Sequence, residues 1–186
     1  YYGTNSYDSG YIAGRLLFEQ IHSNDSIAIF RFIRNGEMQI TQIMKREEGF
    51  RNYLYNHNYD GRIYSVKLHA DEPEKNLAII KQFIQDHPEV YIGIMFNSRA
   101  HLIGKHFEDI GKDFKIIGYD VIDANVHYLE KGFITQLIAQ RPEVQGFNSI
   151  RALFRHLVLK ENVEQINYMP IDILLKENIK YYNNYI

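Results

Sequence analysis

Four residues in this chain have the chemistry and the placement to hold a small polar ligand: Arg46, Asn97, Asp120 and Gln140. Asp120 follows the short apolar run Lys115–Tyr119, and Gln140 follows a second one, residues 133–139. Both runs read as buried strands, so two successive strands end on a polar tip. In open α/β sheets, ligands lie in the crevice outside the carboxyl ends of the strands. Asp accepts hydrogen bonds, Arg donates them, and Asn and Gln do both, a set that complements groups able to donate and accept. Hydrogen bonds to charged side chains contribute about 1.5–3 kcal/mol each. This is binding chemistry. There is no G-x-S-x-G elbow, no G-x-x-x-x-G-K-[ST] loop and no G-x-G-x-x-G turn, and no nucleophile stands beside a base. Each residue also has a plainer reading: Asp120 as a helix cap, Asn97 as a turn residue, Gln140 as a loop residue, and Arg46 as one half of a surface ion pair.

Composition narrows the setting. With 186 residues, the chain can build one substantial core, or a large lobe and part of a second. A formal charge of −2 argues against a broad basic face for phosphates. Cysteine is absent, which excludes disulfides and thiolate metal sites. The eight histidines form no H-E-x-x-H pattern, so neither a metal nor any other cofactor is expected. No apolar run approaches the roughly 20 residues that cross a bilayer, so no membrane partner is expected. The first residues have neither the basic nor the apolar region of a signal peptide, and no initiator Met. Tyr1 is therefore expected to begin partway through a larger protein, with a processed terminus as the alternative.

Strands and helices alternate in the pattern. Helices are expected over residues 11–21, residues 38–55 (with Gly49 as an unfavourable interior residue), from Pro73 to before Pro88, and from a Ser98 cap to Gly111. Asp71 or Glu72 would cap the third of these. Another helix separates the strands ending at Asp120 and Gln140 and stops at Gly132. A last one runs from Pro142 to about Lys160, with Val144, Phe147, Phe154 and Leu157 as its apolar content. Strands are expected over residues 26–33, ended by Asn35-Gly36, and over residues 62–68, 90–96, 115–119, 133–139 and 168–175. That alternation predicts an α/β fold, a doubly wound parallel sheet with helices on both faces.

Five motifs occur in a telling order: Asp8-Ser9-Gly10-Tyr11-Ile12-Ala13-Gly14, Arg46-Glu47-Glu48-Gly49-Phe50, Phe96-Asn97-Ser98, Gly118-Tyr119-Asp120 and Ile138-Ala139-Gln140. With them the chain resembles the carboxyl-terminal part of sugar-binding proteins of the ribose-binding and lac-repressor type, the latter being LacI/GalR regulators. The resemblance implies a periplasmic-binding-protein-like type I lobe made of residues 1–139 and 163–186. Residues 140–162 would belong to the other lobe, the chain crossing a hinge near Gln140 and returning near Tyr168. It also implies a small sugar effector contacted by Arg46, Asn97, Asp120 and Gln140, and a cytoplasmic homodimer without enzymatic activity. DNA would be bound only through a helix-turn-helix headpiece preceding Tyr1. A periplasmic sugar-binding protein of a transport system is one alternative. A sugar-phosphate or nucleotide enzyme on a doubly wound fold is another. The chain departs from the family at Ser98, where Asp is usual, and at Arg34-Asn35-Gly36-Glu37. It departs again at His69 and Asp71, where relatives often carry an aromatic for stacking on the sugar.

Overall fold

The computed structural model describes residues 1–33, 41–70 and 72–185. Among the described residues, eight strands and six helices follow one another: β1 (Tyr2–Gly3), α1 (Ser6–Phe18), β2 (Ile27–Ile33), α2 (Thr41–Asn56), β3 (Ile63–His69), α3 (Pro73–Asp86), β4 (Ile92–Met95), α4 (Ala100–Ile110), β5 (Lys115–Tyr119), α5 (Asp123–Glu130), β6 (Ile134–Ala139), α6 (Pro142–Leu157), β7 (Asn167–Tyr168) and β8 (Asp172–Leu174). A 3-10 turn, Ile179–Tyr185, closes the chain.

The main sheet has the order β3-β2-β4-β5-β6-β8. Strands β2 to β6 pair in parallel. Their side chains alternate between two cores, as a doubly wound sheet requires. In β2, Ala28 and Phe30 face the core shared with α3, α4 and α5, while Ile27 and Ile29 face α1 and α2. The expected fold class therefore stands, with one amendment: β8 runs antiparallel to β6 and forms an edge. The strand expected over residues 168–175 is two short pieces. Its first part, β7, leaves the main sheet and pairs in parallel with β1 in a separate two-stranded sheet. Pro170 lies between the pieces and removes one backbone donor from any continuous ladder.

Helix limits differ from expectation where a cap lies outside the apolar pattern. Helix α1 begins at Ser6, not near Tyr11, because the Asn5 side chain accepts from the backbone N–H groups of Tyr7 and Asp8 at 3.0 and 3.3 Å. Glu72 occupies the cap position of α3 without a side-chain cap bond. Ser98 does not cap α4, which starts at Ala100. Gly111 does close α4, at φ 71°. Helix α6 ends at Leu157, one turn before Lys160. The expected break at Asn35-Gly36, the helix start at Met38 and a cap from Asp71 lie outside the described residues.

Gly10 and Gly49, both inside helices, have one cause. A Cβ on Gly10 would overlap the Arg46 carbonyl, and one on Gly49 would overlap the Tyr7 carbonyl. Helices α1 and α2 thus touch backbone to backbone, which fixes α2, and Arg46 with it, over the sheet.

Candidate functional site

The carboxyl ends of β4, β5 and β6 lie side by side, and they carry Asn97, Asp120 and Gln140 into one crevice edge. Asp120 and Gln140 are joined directly: Gln140 Nε2 donates to Asp120 Oδ1 at 2.6 Å. Thr4, just past β1 and buried, donates from Oγ1 to Gln140 Oε1 at 3.1 Å. This chain of bonds leaves Asp120 Oδ2 without a described protein donor. Asp120 adopts φ 67°, a left-handed backbone that is uncommon outside glycine and that Asp and Asn enter most readily among the rest. It does not cap α5, whose cap position is Ile122.

Arg46 is buried at 4% exposure, which removes the surface reading of this residue. Its Nη1 donates to the Phe96 carbonyl at 2.7 Å, beside Asn97, and its guanidinium lies 4.3 Å from the centroid of the Tyr119 ring, beside Asp120. A desolvated cation over an aromatic face contributes about 2 kcal/mol. Nε of Arg46 is buried with no hydrogen-bond partner among the described residues. Orphaned buried donors are rare and costly. Burial pushes the Tyr119 hydroxyl well above the ordinary tyrosine range, against the opposing pull of Arg46. Tyr119 is therefore a neutral donor, and it bonds the Ser9 carbonyl of α1 at 3.1 Å.

Asn97 does make the turn that its type suggests, its Oδ1 accepting from the Arg99 N–H at 3.0 Å. The amide Nδ2 has no partner among the described residues. The structure brings Asp120 and Gln140 into contact, and connects Arg46 to the strand ends of Asn97 and Asp120 through Phe96 and Tyr119. His69, at the end of β3, is held by its own backbone: its N–H donates to Asn76 Oδ1, and its carbonyl accepts from Asn76 Nδ2, both at 2.7 Å.

Sequence reasoning passed over Thr4, Tyr119 and Asn125. Asn125, in the first turn of α5, is fully buried and holds the turn before α4 to the turn before α5. Its amide does for α4 what Ser98 was expected to do: Oδ1 accepts from the His101 N–H at 2.9 Å. Its partners His101 and Ser98 are 24 and 27 positions away, so no local signal marks it in the sequence.

The described residues contain no group of three or more His, Asp or Glu side chains placed to hold a metal ion. No helix among them is long and apolar enough to cross a membrane. What the strand ends offer is an acceptor, Asp120 Oδ2, and a donor, Asn97 Nδ2, each without a partner among the described residues, while Arg46 Nε is buried behind them. This edge suits a neutral group carrying hydroxyls better than a dianion, which Asp120 would repel.

Comparison with known proteins identifies a family and a fold. The periplasmic binding protein domain matches residues 1–161. A candidate LacI transcriptional regulator from Bacteroides fragilis is 43% identical, superposes with a TM-score of 0.92, and is matched over 98% of this chain and 63% of its own. A glucose-galactose binding protein from Geobacillus stearothermophilus is 22% identical with a TM-score of 0.79, over 96% of this chain and 63% of its own. An ABC transporter solute binding protein from Burkholderia graminis, solved with D-arabinose, is 15% identical with a TM-score of 0.82, over 98% and 63%. The two more distant likenesses concern the fold alone. The chain thus spans 63% of the length of each of these three structures. No curated protein matches it significantly.

Proposed function

The chain belongs to the periplasmic binding protein domain family, and from that premise we propose that it is the larger part of a sugar-sensing module of a LacI-type transcriptional regulator. A small sugar would bind between this lobe and a second one, and its binding would alter DNA affinity in a headpiece elsewhere in the protein. The observation that carries the reading is the convergence of Asp120, Gln140, Asn97 and Arg46 on the carboxyl edge of β4, β5 and β6. A sugar hydroxyl would donate to Asp120 while accepting from Asn97, with Arg46 behind them supporting the strand ends through the Phe96 carbonyl and the Tyr119 ring. The 43% identity to a candidate LacI regulator, held over 98% of this chain, favours a regulator.

Residues 140–162 are assigned to the second lobe. Helix α6 has no buried residue, and Phe147, Ile150, Phe154 and Leu157 are all more than half exposed. That face is the surface a second lobe would cover. A homodimer and a cytoplasmic location follow from the regulator reading. The transport alternative is supported by the fold likeness to sugar-binding proteins. A helix-turn-helix in the full gene product would decide for the regulator, a signal peptide for transport.

Calorimetric titration of the full-length protein with D-arabinose, D-allose, D-galactose and D-glucose tests the site. Asp120→Ala should weaken binding of the preferred sugar by about 2–5 kcal/mol, the usual cost of removing one partner of a buried charged hydrogen bond. Unchanged affinity would place the sugar elsewhere.

A further inference from the structure

Asn125 makes more side-chain hydrogen bonds than any other residue near the crevice, and none of the four candidate contacts includes it. Its Nδ2 lies 3.1 Å from the Ser98 carbonyl, 2.9 Å from that of Tyr119 and 3.0 Å from that of Asp120. Its Oδ1 accepts from the His101 backbone N–H at 2.9 Å and faces His101 Nδ1 at 3.0 Å. Three carbonyls on one side of the amide and a backbone N–H on the other fix its orientation, so the amide cannot be flipped. An amide oxygen only accepts, so His101 carries its proton on Nδ1.

Two of the bonded carbonyls belong to the peptides on either side of the Asp120 Cα, and Asp120 is the residue held at φ 67°. Asp enters the left-handed region more readily than most side chains, but the conformation is uncommon even for Asp, so bonds to the carbonyls on both sides of it select one backbone state. The third carbonyl belongs to Ser98, next to Asn97. One buried amide therefore sets the backbone at both turns that carry candidate ligand contacts. We infer that Asn125 is a positioning residue of the binding site: it holds Asp120 in its left-handed conformation and keeps the Asn97 turn in register, so that both side chains meet one ligand.

This inference rests on the reading of Asp120 as a ligand contact, and a double-mutant cycle separates the two. In the full-length protein, titrated with D-arabinose, D-allose, D-galactose and D-glucose, Asn125→Ala should weaken the preferred sugar by about tenfold, within the range for coupled neighbours. Added to Asp120→Ala, the same change should have a clearly smaller effect, because the side chain it positions is already gone. If Asn125→Ala weakens binding equally in both backgrounds, or not at all, the positioning role is overturned while the site stands. If Asp120→Ala alone leaves binding intact, the site reading itself fails.

Should Asn125→Ala not fold, Asn125→Ser takes its place, since its short neutral hydroxyl cannot span the three carbonyls and buries no charge. Magnetic resonance of the side-chain amide gives a further readout that leaves Asn125 itself unchanged. The Asn125 side-chain amide resonance should move on saturation with the preferred sugar in the wild type and stay still in Asp120→Ala. An amide resonance that ignores the sugar in the wild type overturns the inference.

Discussion

His106 sits in the middle of α4 at 7% exposure, and its Nδ1 has no partner among the described residues. Burial holds its pKa below the ordinary histidine value, with Lys105 adding to the effect and Asp109 opposing it. The unfolded chain titrates this group near the usual value of about 6.5. Below that pH the unfolded state takes up a proton that the folded state resists, so stability falls as pH falls. Above it the group is neutral in both states and has no such effect. We expect the urea midpoint to drop more steeply between pH 7 and pH 5.5 in the wild type than in His106→Gln. Parallel curves would mean that His106 is not the group responsible. At this scale the sequence was informative about types and silent about partners. Arg46, Asn97, Asp120 and Gln140 could be singled out because they end strands or belong to a motif. Thr4 and Asn125 could not, because what marks them is a bond to residues 136 and 27 positions away.

Helix α1 and helix α2 meet through Gly10, Gly14 and Gly49, and this contact explains a residue that local propensity disfavours. A glycine inside a helix costs about 1 kcal/mol relative to alanine, and that penalty alone would suggest replacing it. Here Gly10→Ala and Gly49→Ala should instead destabilise, each by about 1–3 kcal/mol, because the new methyl meets a backbone carbonyl that has nowhere to go. Denaturant unfolding of the two variants checks this, and an unchanged or raised midpoint would refute it. Since Arg46 is the residue whose carbonyl Gly10 touches, Gly10→Ala should also weaken ligand binding. Elements with a strong period, such as the apolar strands and α3, could be read from the sequence to within a few residues. Strands β1 and β7 have two residues each and carry no period to read. The start of α1 was missed for a related reason: Asn5 caps it upstream of the first apolar residue. The α4 cap comes from another helix, so no local pattern could contain it.

Over the whole molecule, apolar surface is concentrated on α6 and the segment after it. Ile150 is 71% exposed, Phe147 64%, Val158 60% and Leu157 59%. Contiguous apolar patches of this kind mark contact surfaces. The 186-residue chain on its own should therefore self-associate, and Ile150→Glu with Phe154→Glu should lower the mass seen by light scattering without lowering the thermal midpoint. A strictly monomeric chain at high concentration would count against it. With a formal charge of −2, the same chain should show no salt-sensitive, sequence-selective DNA binding by fluorescence anisotropy. The apolar content of α6 was visible in the sequence. That none of it is buried was not, because periodicity shows which face is apolar and not what lies opposite.

The polypeptide passes between the six-stranded sheet and the small β1–β7 sheet at three places: Thr4, Gln140 with Arg141, and the stretch from Met169 to Asp172. Thr4 is tied to Gln140, and Arg141 grips Asp172 with two bonds of 2.5 and 2.8 Å while its N–H donates to the Tyr182 hydroxyl at 3.1 Å. Should a second lobe move about these crossings, straps lashed together in this way would turn as the leaves of one door, and Asp120, fastened to Thr4 through Gln140, would sit on the line of that pivot.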